Sequence, residues 1–149
     1  MKKIIIAGLM VTLLMVTRTY AEEITYSKHI KPIITEKCIK CHGSDAPEYK
    51  AFKLDKKKFI AEQKGPRMDN YTHMVYFIGW PDTGAMMRRL DDGNSKDNGK
   101  PGNMYKNLGD TEEERQQNLS LFKAWIGNWS LNRWSAVSKN DLSSMKLTY

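Results

Sequence analysis

Two cysteines and a histidine carry the clearest chemical signal in this sequence of 149 residues. They form a C-x-x-C-H motif that runs from Cys38 through Cys41 to His42. Two thiols one helical turn apart can each add to a vinyl group of one haem, and the histidine lies on the same helix face. A thiol–disulfide site does not need that histidine, and a zinc site needs four ligands, for which only His29 and His73 remain. The motif therefore predicts one haem c held by Cys38 and Cys41, with His42 as the proximal iron ligand.

A helix before the motif is expected to position it. Apolar side chains recur there at helical spacing, namely Ile30, Ile33, Ile34 and Cys38. Because Pro32 lacks an N–H and suits a first turn, we expect the helix to begin near Ile30, although Ser27 could cap an earlier start. Gly43 is a natural stop after the histidine.

This stretch resembles the N-terminal helix and haem motif of class I monohaem cytochromes c, in which an apolar–proline–apolar segment leads into C-x-x-C-H. The resemblance implies an all-α fold around one covalently bound haem. It also implies a C-terminal helix that crosses the N-terminal one, with an aromatic residue at their contact. Phe122 and Trp125 are the candidates for that contact.

The C-terminal helix has its own start signal. Either Asp110 with Glu113 or Thr111 with Glu114 forms a capping-box pattern, and apolar spacing carries the helix to about Ile126. The residues from Ser130 to Tyr149 have few apolar anchors, and we expect them to form an extension that wraps the surface.

The middle of the chain predicts shorter elements. A helix is expected from about Asn70 to Gly79, ended by Trp80-Pro81, and Asp82 or Thr83 should cap a second short helix. A turn-rich run follows from residue 91 to residue 103. The lysines at positions 56–58 suggest a solvated face or, alternatively, a patch that docks a partner.

The second axial ligand of the iron decides the function. In class I cytochromes the ligand methionine lies in a loop shortly before the C-terminal helix, beside a proline or glycine, and Met104 in Pro101-Gly102-Asn103-Met104 matches that position. Tyr105 stands where a proline often follows that methionine. Met86, Met87 and His73 are the alternatives, each of which is also explained by packing.

The amino terminus predicts export. Residues 1–21 have a positive start, a short apolar run and Ala21 at a cleavage position, so we expect a cleaved signal peptide. The formal net charge of +7 falls to +4 when Lys2, Lys3 and Arg18 leave with that segment. The predicted organisation is thus a signal peptide at 1–21, a cytochrome c domain at 22–129 and an extension at 130–149.

These features predict a soluble periplasmic electron carrier rather than an enzyme. The alternative is a haem enzyme or a gas or redox sensor whose sixth iron position is open, but no paired carboxylates or distal His–Arg pair support it. The modest positive charge and the absence of a basic, aromatic-rich helix argue against nucleic acid as a partner. We expect a monomer that meets redox partner proteins and is not embedded in a membrane after signal cleavage. The hydrophilic loop around Met104 predicts a reduction potential below that of cytochromes with a well-buried haem.

Overall fold

The computed structural model describes residues 22–149 of the chain, and the predicted signal peptide at 1–21 lies outside the described residues. Within 22–149 every regular element is helical. A long first helix, α1, joins alternating π-helical and α-helical segments, which are Tyr26–Ile30, Lys31–Ile33, Ile34–Cys38 and Ile39–His42. The following helices are α2 (Tyr49–Leu54), α3 (Lys56–Ala61), α4 (Tyr71–Ile78), α5 (Ala85–Leu90), α6 (Glu112–Ile126) and α7 (Lys139–Ser143). Single 3₁₀ turns occupy Tyr105–Leu108 and Trp134–Ala136.

Helix α1 begins earlier than the sequence predicted. Its N-cap is Thr25, whose hydroxyl accepts the N–H of Lys28, so neither Ser27 nor Ile30 starts it. The expectation failed because Pro32 is accommodated inside the helix, between two widened π-helical turns, instead of in its first turn.

The first and last long helices pack against each other, as the resemblance implied. Tyr26 on α1 contacts Trp125 on α6, with ring centroids 5.9 Å apart, and Phe122 and Trp125 are fully buried. Helix α6 has Thr111 as its N-cap, and the Glu114 carboxylate accepts the N–H of Asp110. Half of the second predicted capping pair therefore forms, because the Glu114 N–H donates to Thr111 but the Glu114 carboxylate accepts from Asp110 instead of Thr111.

The short helices agree only in part with the local sequence patterns. Helix α4 matches its prediction and is capped by Asn70, but α5 follows Gly84 and has no side-chain cap. Asp82 lies near Arg88, and the Thr83 hydroxyl bonds the Gly79 carbonyl, so neither caps α5. The lysine-rich stretch, for which no helix was predicted, forms α2 and α3.

The last residues return to the core. Thr148 accepts hydrogen bonds from the Tyr26 N–H and from the Trp125 indole, each at 2.8 Å, and Leu147 donates to the Trp125 carbonyl. The boundary at residue 129 between a domain and an extension stays a prediction. No helix among the described residues is long and apolar enough to cross a membrane.

Candidate haem site

The two cysteines lie at the end of α1, where both are half-buried and free. Burial, with a smaller effect from Cys41, raises the pKa of the Cys38 thiol to about 11. Reactive thiols in disulfide chemistry have a lowered pKa because a positive environment stabilises the thiolate. The environment of Cys38 is the opposite, and it suits a sulfur that carries no charge, as a thioether does.

The ring of His42 is fixed through one nitrogen. Its Nδ1 lies 2.7 Å from the carbonyl oxygen of Pro66, so the Nδ1–H donates there and the Nε2 lone pair stays free for a metal. Burial lowers the pKa of His42, and Arg89 adds to this effect while the hydrogen bond to Pro66 opposes it. A neutral ring with a fixed tautomer is the form of histidine that binds iron.

A glycine makes the close approach to His42 feasible. A Cβ at Gly65 would lie 2.1 Å from Cε1 of the His42 ring, so no side chain fits there. The backbone around it is tied to the motif, because Gly65 donates to the Cys41 carbonyl and Met68 to the His42 carbonyl, both at 2.8 Å. Residues 65–68 therefore form a backbone cradle for the histidine. Pro66 was not predicted from the sequence, because it acts through its backbone carbonyl.

Met104 immediately precedes the 3₁₀ turn Tyr105–Leu108, which lies before α6. Its N–H donates to the carbonyl of Arg89 at the end of α5, at 3.0 Å. The Asn107 side chain, one 3₁₀ turn further on, donates to the Met104 sulfur at 3.4 Å. Three residues per turn place positions i and i+3 above one another, which explains this contact. The turn also lies against the Ile34–Cys38 segment of α1.

Contacts with α6 fix the same turn from the other side. The Tyr105 hydroxyl bonds the Glu112 carboxylate and also contacts Gln116 at 2.7 Å. The Asn118 side chain donates to the Leu108 carbonyl at 2.6 Å. The sulfur of Met104 is therefore held on a turn with anchored ends.

The alternative ligands have other partners. The His73 ring lies between two carboxylates, with Nδ1 3.1 Å from Asp69 and Nε2 3.2 Å from Glu48. Met86 and Met87 belong to the hydrophobic core and are 5 % and 0 % exposed. What remains is two free thiols, a neutral imidazole and an accessible thioether, which is a donor set that fits a haem c.

The comparisons with known proteins point to the same cofactor. Residues 25–149 match the family model described as PccH cytochrome c. The chain belongs to the PccH cytochrome c family. It is also similar to the solved structure of the monohaem cytochrome PccH from Geobacter sulfurreducens, at 54% sequence identity and a TM-score of 0.81. That match covers 86% of this chain and 100% of the other. No curated protein gives a match.

Membership of the PccH cytochrome c family confirms three predictions. The fold is an all-α cytochrome c fold, the cofactor is one covalently attached haem c, and the protein is a haem electron carrier. The Cys38–His42 segment has the attachment motif that this cofactor requires.

Proposed function

We propose that this chain is a periplasmic one-electron carrier in which Cys38 and Cys41 hold the haem and His42 and Met104 bind its iron from opposite sides. The observation that carries the proposal is the hydrogen bond from His42 Nδ1 to the Pro66 carbonyl, which leaves Nε2 as the free donor. Met104 is supported by its half-buried position and by the anchored turn that carries it.

Two filled axial positions determine what the site can do. Haem iron supplies one-electron exchange between its ferric and ferrous states. With His42 and Met104 both in place, a substrate has no free position at the metal, so electron transfer is favoured over catalysis. The residues around these two side chains then act by holding them still in both oxidation states.

Partner docking is proposed at the positive surface of the α2–α3 region. Lys56, Lys57 and Lys58 are exposed in the first turn of α3, where the positive end of the helix dipole makes lysine unfavourable. Local stability therefore does not explain them, and an acidic redox partner would be attracted by them. Electron-transfer rates that fall as ionic strength rises would support this docking, and rates independent of salt would contradict it.

The ligand assignment is tested by replacing Met104. In Met104→Ala the haem should stay attached, because the thioether bonds and His42 do not depend on Met104. The iron should become high-spin or take up water, carbon monoxide should bind, and the reduction potential should fall because a soft thioether favours ferrous iron. Optical spectra of both oxidation states and a redox titration measure these changes.

The matched controls are Met86→Ala, Met87→Ala and His73→Ala, which should keep the low-spin spectrum. Loss of that spectrum in a control, with Met104→Ala unchanged, would assign the ligand to the control residue. Carbon monoxide binding by the unmodified protein would instead favour the open-site sensor or enzyme.

A further inference from the structure

The carboxylate of Asp91 is buried at the end of α5 and is not used by the haem-binding residues described above. Asp91 is 0 % exposed. Oδ2 accepts the Trp129 indole N–H at 2.9 Å, and Oδ1 accepts the Gly93 N–H at 2.8 Å. Both donors favour the ionised form, since a carboxylate accepts at both oxygens whereas a protonated acid would meet a donor with its own O–H.

The charge of Asp91 has no ion-pair partner in the described part of the chain. The nearest lysine on α6, Lys123, lies over the Trp129 ring and reaches Asp92 at 3.9 Å instead. Burial raises the pKa of Asp91, but the hydrogen bonds from Trp129, Gly93 and Ser95 and the attraction of Lys123 outweigh it, and the pKa is lowered. A negative charge is thus held inside the protein at neutral pH.

The position of this charge is at the base of the loop that carries Met104. The Asp91 carbonyl accepts the N–H of Gly102 at 2.7 Å, two residues before Met104. Gly102 lies so close to the end of α5 that a Cβ there would be 2.2 Å from the Arg89 carbonyl oxygen. The loop therefore returns directly over the helix end, and the backbone of Asp91 is bound to the segment that leads to Met104.

We propose that Asp91 is a fixed internal negative charge that lowers the reduction potential of the haem. Ferric haem carries one more positive charge than ferrous haem, so a nearby negative charge stabilises the oxidised form. The interior screens this interaction less than water does. Two cations near the loop oppose this effect. Arg89, whose charge also lowers the pKa of His42, donates to Asn103, and Lys96 reaches the Lys100 carbonyl. Both are more exposed than Asp91, so water screens their charges more strongly.

This proposal rests on the haem and on the placement of the Met104 loop in the proposed function. The two ideas fail separately. If Met104 is not the ligand, the optical spectrum of Met104→Ala shows it, whereas the role of Asp91 is read from reduction potentials of variants that keep the low-spin spectrum.

The test compares Asp91→Asn with two matched variants by redox titration of the haem-loaded protein. Asp91→Asn removes the buried charge and should raise the reduction potential. Asp97→Asn removes the same formal charge from an exposed position of the same loop and should change it much less. Trp129→Phe removes a hydrogen bond but keeps the charge of Asp91, so it should leave the reduction potential unchanged or lower it.

A role in loop packing alone predicts a different pattern. In that case Asp91→Asn and Trp129→Phe would shift the reduction potential in the same upward direction, and the proposal would be overturned. An unchanged reduction potential in a low-spin Asp91→Asn protein would overturn it as well.

Lys123→Met gives a test that does not depend on the folding of an Asp91 variant. It removes the cation that partly balances the buried carboxylate, from a side chain that is 35% exposed. The reduction potential should then fall. A fall shows that a charge beside Asp91 is felt at the haem, whereas a rise or no change would show that it is not and would overturn the proposal.

Discussion

The two sides of the proposed haem site, that of His42 and that of Met104, are held by different kinds of contact. On the proximal side, His42 is fixed by backbone groups: the carbonyl of Pro66 accepts from its ring, and Gly65 lies against the ring face. On the side of the proposed ligand Met104, the backbone N–H of Met104 is bound by the Arg89 carbonyl, but side chains contact its sulfur, through Asn107, and its turn, through Tyr105 with Glu112.

This difference separates a rigid side from an adjustable one. Backbone carbonyls do not titrate, and a substitution removes them only by moving the chain. Side-chain contacts can be altered one at a time, so the distal side can change the reduction potential or respond to pH without loss of the fold. We expect substitutions on the proximal side to destabilise the fold, and substitutions on the distal side to change the reduction potential.

The largest effect is expected for Gly65→Ala. The added Cβ would lie 2.1 Å from Cε1 and 2.5 Å from Nδ1 of His42, while the ring is held in place by Pro66. The free energy of unfolding should fall by about 2 kcal/mol or more, as overpacking of a close contact costs. Less haem should be attached in the low-spin state. Denaturant unfolding and the optical spectrum check both.

Gly79→Ala is the matched control for this substitution. A Cβ there meets only the Val75 carbonyl oxygen, at 3.7 Å, which is ordinary van der Waals contact. A Gly65→Ala protein as stable as Gly79→Ala, with an unchanged spectrum, would show that the cradle around His42 yields easily and that the proximal side is not rigid.

A smaller effect is expected when Asn107 is replaced by leucine. Its amide directs a positive N–H at the sulfur of Met104, which disfavours ferric iron, so Asn107→Leu should lower the reduction potential. A hydrogen bond to a weak sulfur acceptor contributes about 0.5 kcal/mol, which corresponds to a shift of the reduction potential by about 20 mV for one electron. The fold should be unaffected.

Asn107→Gln is the corresponding conservative variant. Its longer side chain keeps an amide donor, so it should recover part of the lost reduction potential. Equal reduction potentials in the leucine variant and the unmodified protein would mean that Asn107 does not act on the sulfur.

The sequence indicated these two sides unequally well. The C-x-x-C-H motif identifies His42 because its chemistry depends on side chains at fixed spacing. The Pro66 carbonyl is a backbone group 24 positions further along the chain, so no side-chain pattern reports it. Met104 was predicted from its place in the family and remains a prediction. Asn107 could have been found from its i+3 spacing, had a 3₁₀ turn been foreseen.

The helices that were missed have a similar explanation. Helices α2 and α3 have no buried residue, and Leu54 and Ile60 are exposed, so their sequence lacks the apolar stripe that identifies a packed helix. The long helices α1 and α6 were predicted because their apolar faces are buried against each other. A helix can be predicted from sequence when one of its faces is buried, because that face has an apolar stripe.

The smallest effect concerns acid and the distal side. Bonds from Tyr105, Gln116 and Arg115 lower the pKa of Glu112 to about 2. Since the folded pKa lies below the ordinary value of 4.5, the stabilisation is present above that value and is lost as the pH falls towards 2. Glu112→Gln should therefore lose less stability than the unmodified protein between about pH 5 and about pH 2. Denaturant unfolding at several pH values measures this difference, with Glu113→Gln, an exposed acid on the same turn, as the control.

Because no carboxylate bonds the His42 ring or the Pro66 carbonyl in the described chain, acid should loosen the Met104 side first. Parallel loss of stability in Glu112→Gln and in the unmodified protein would remove this asymmetry between the two sides.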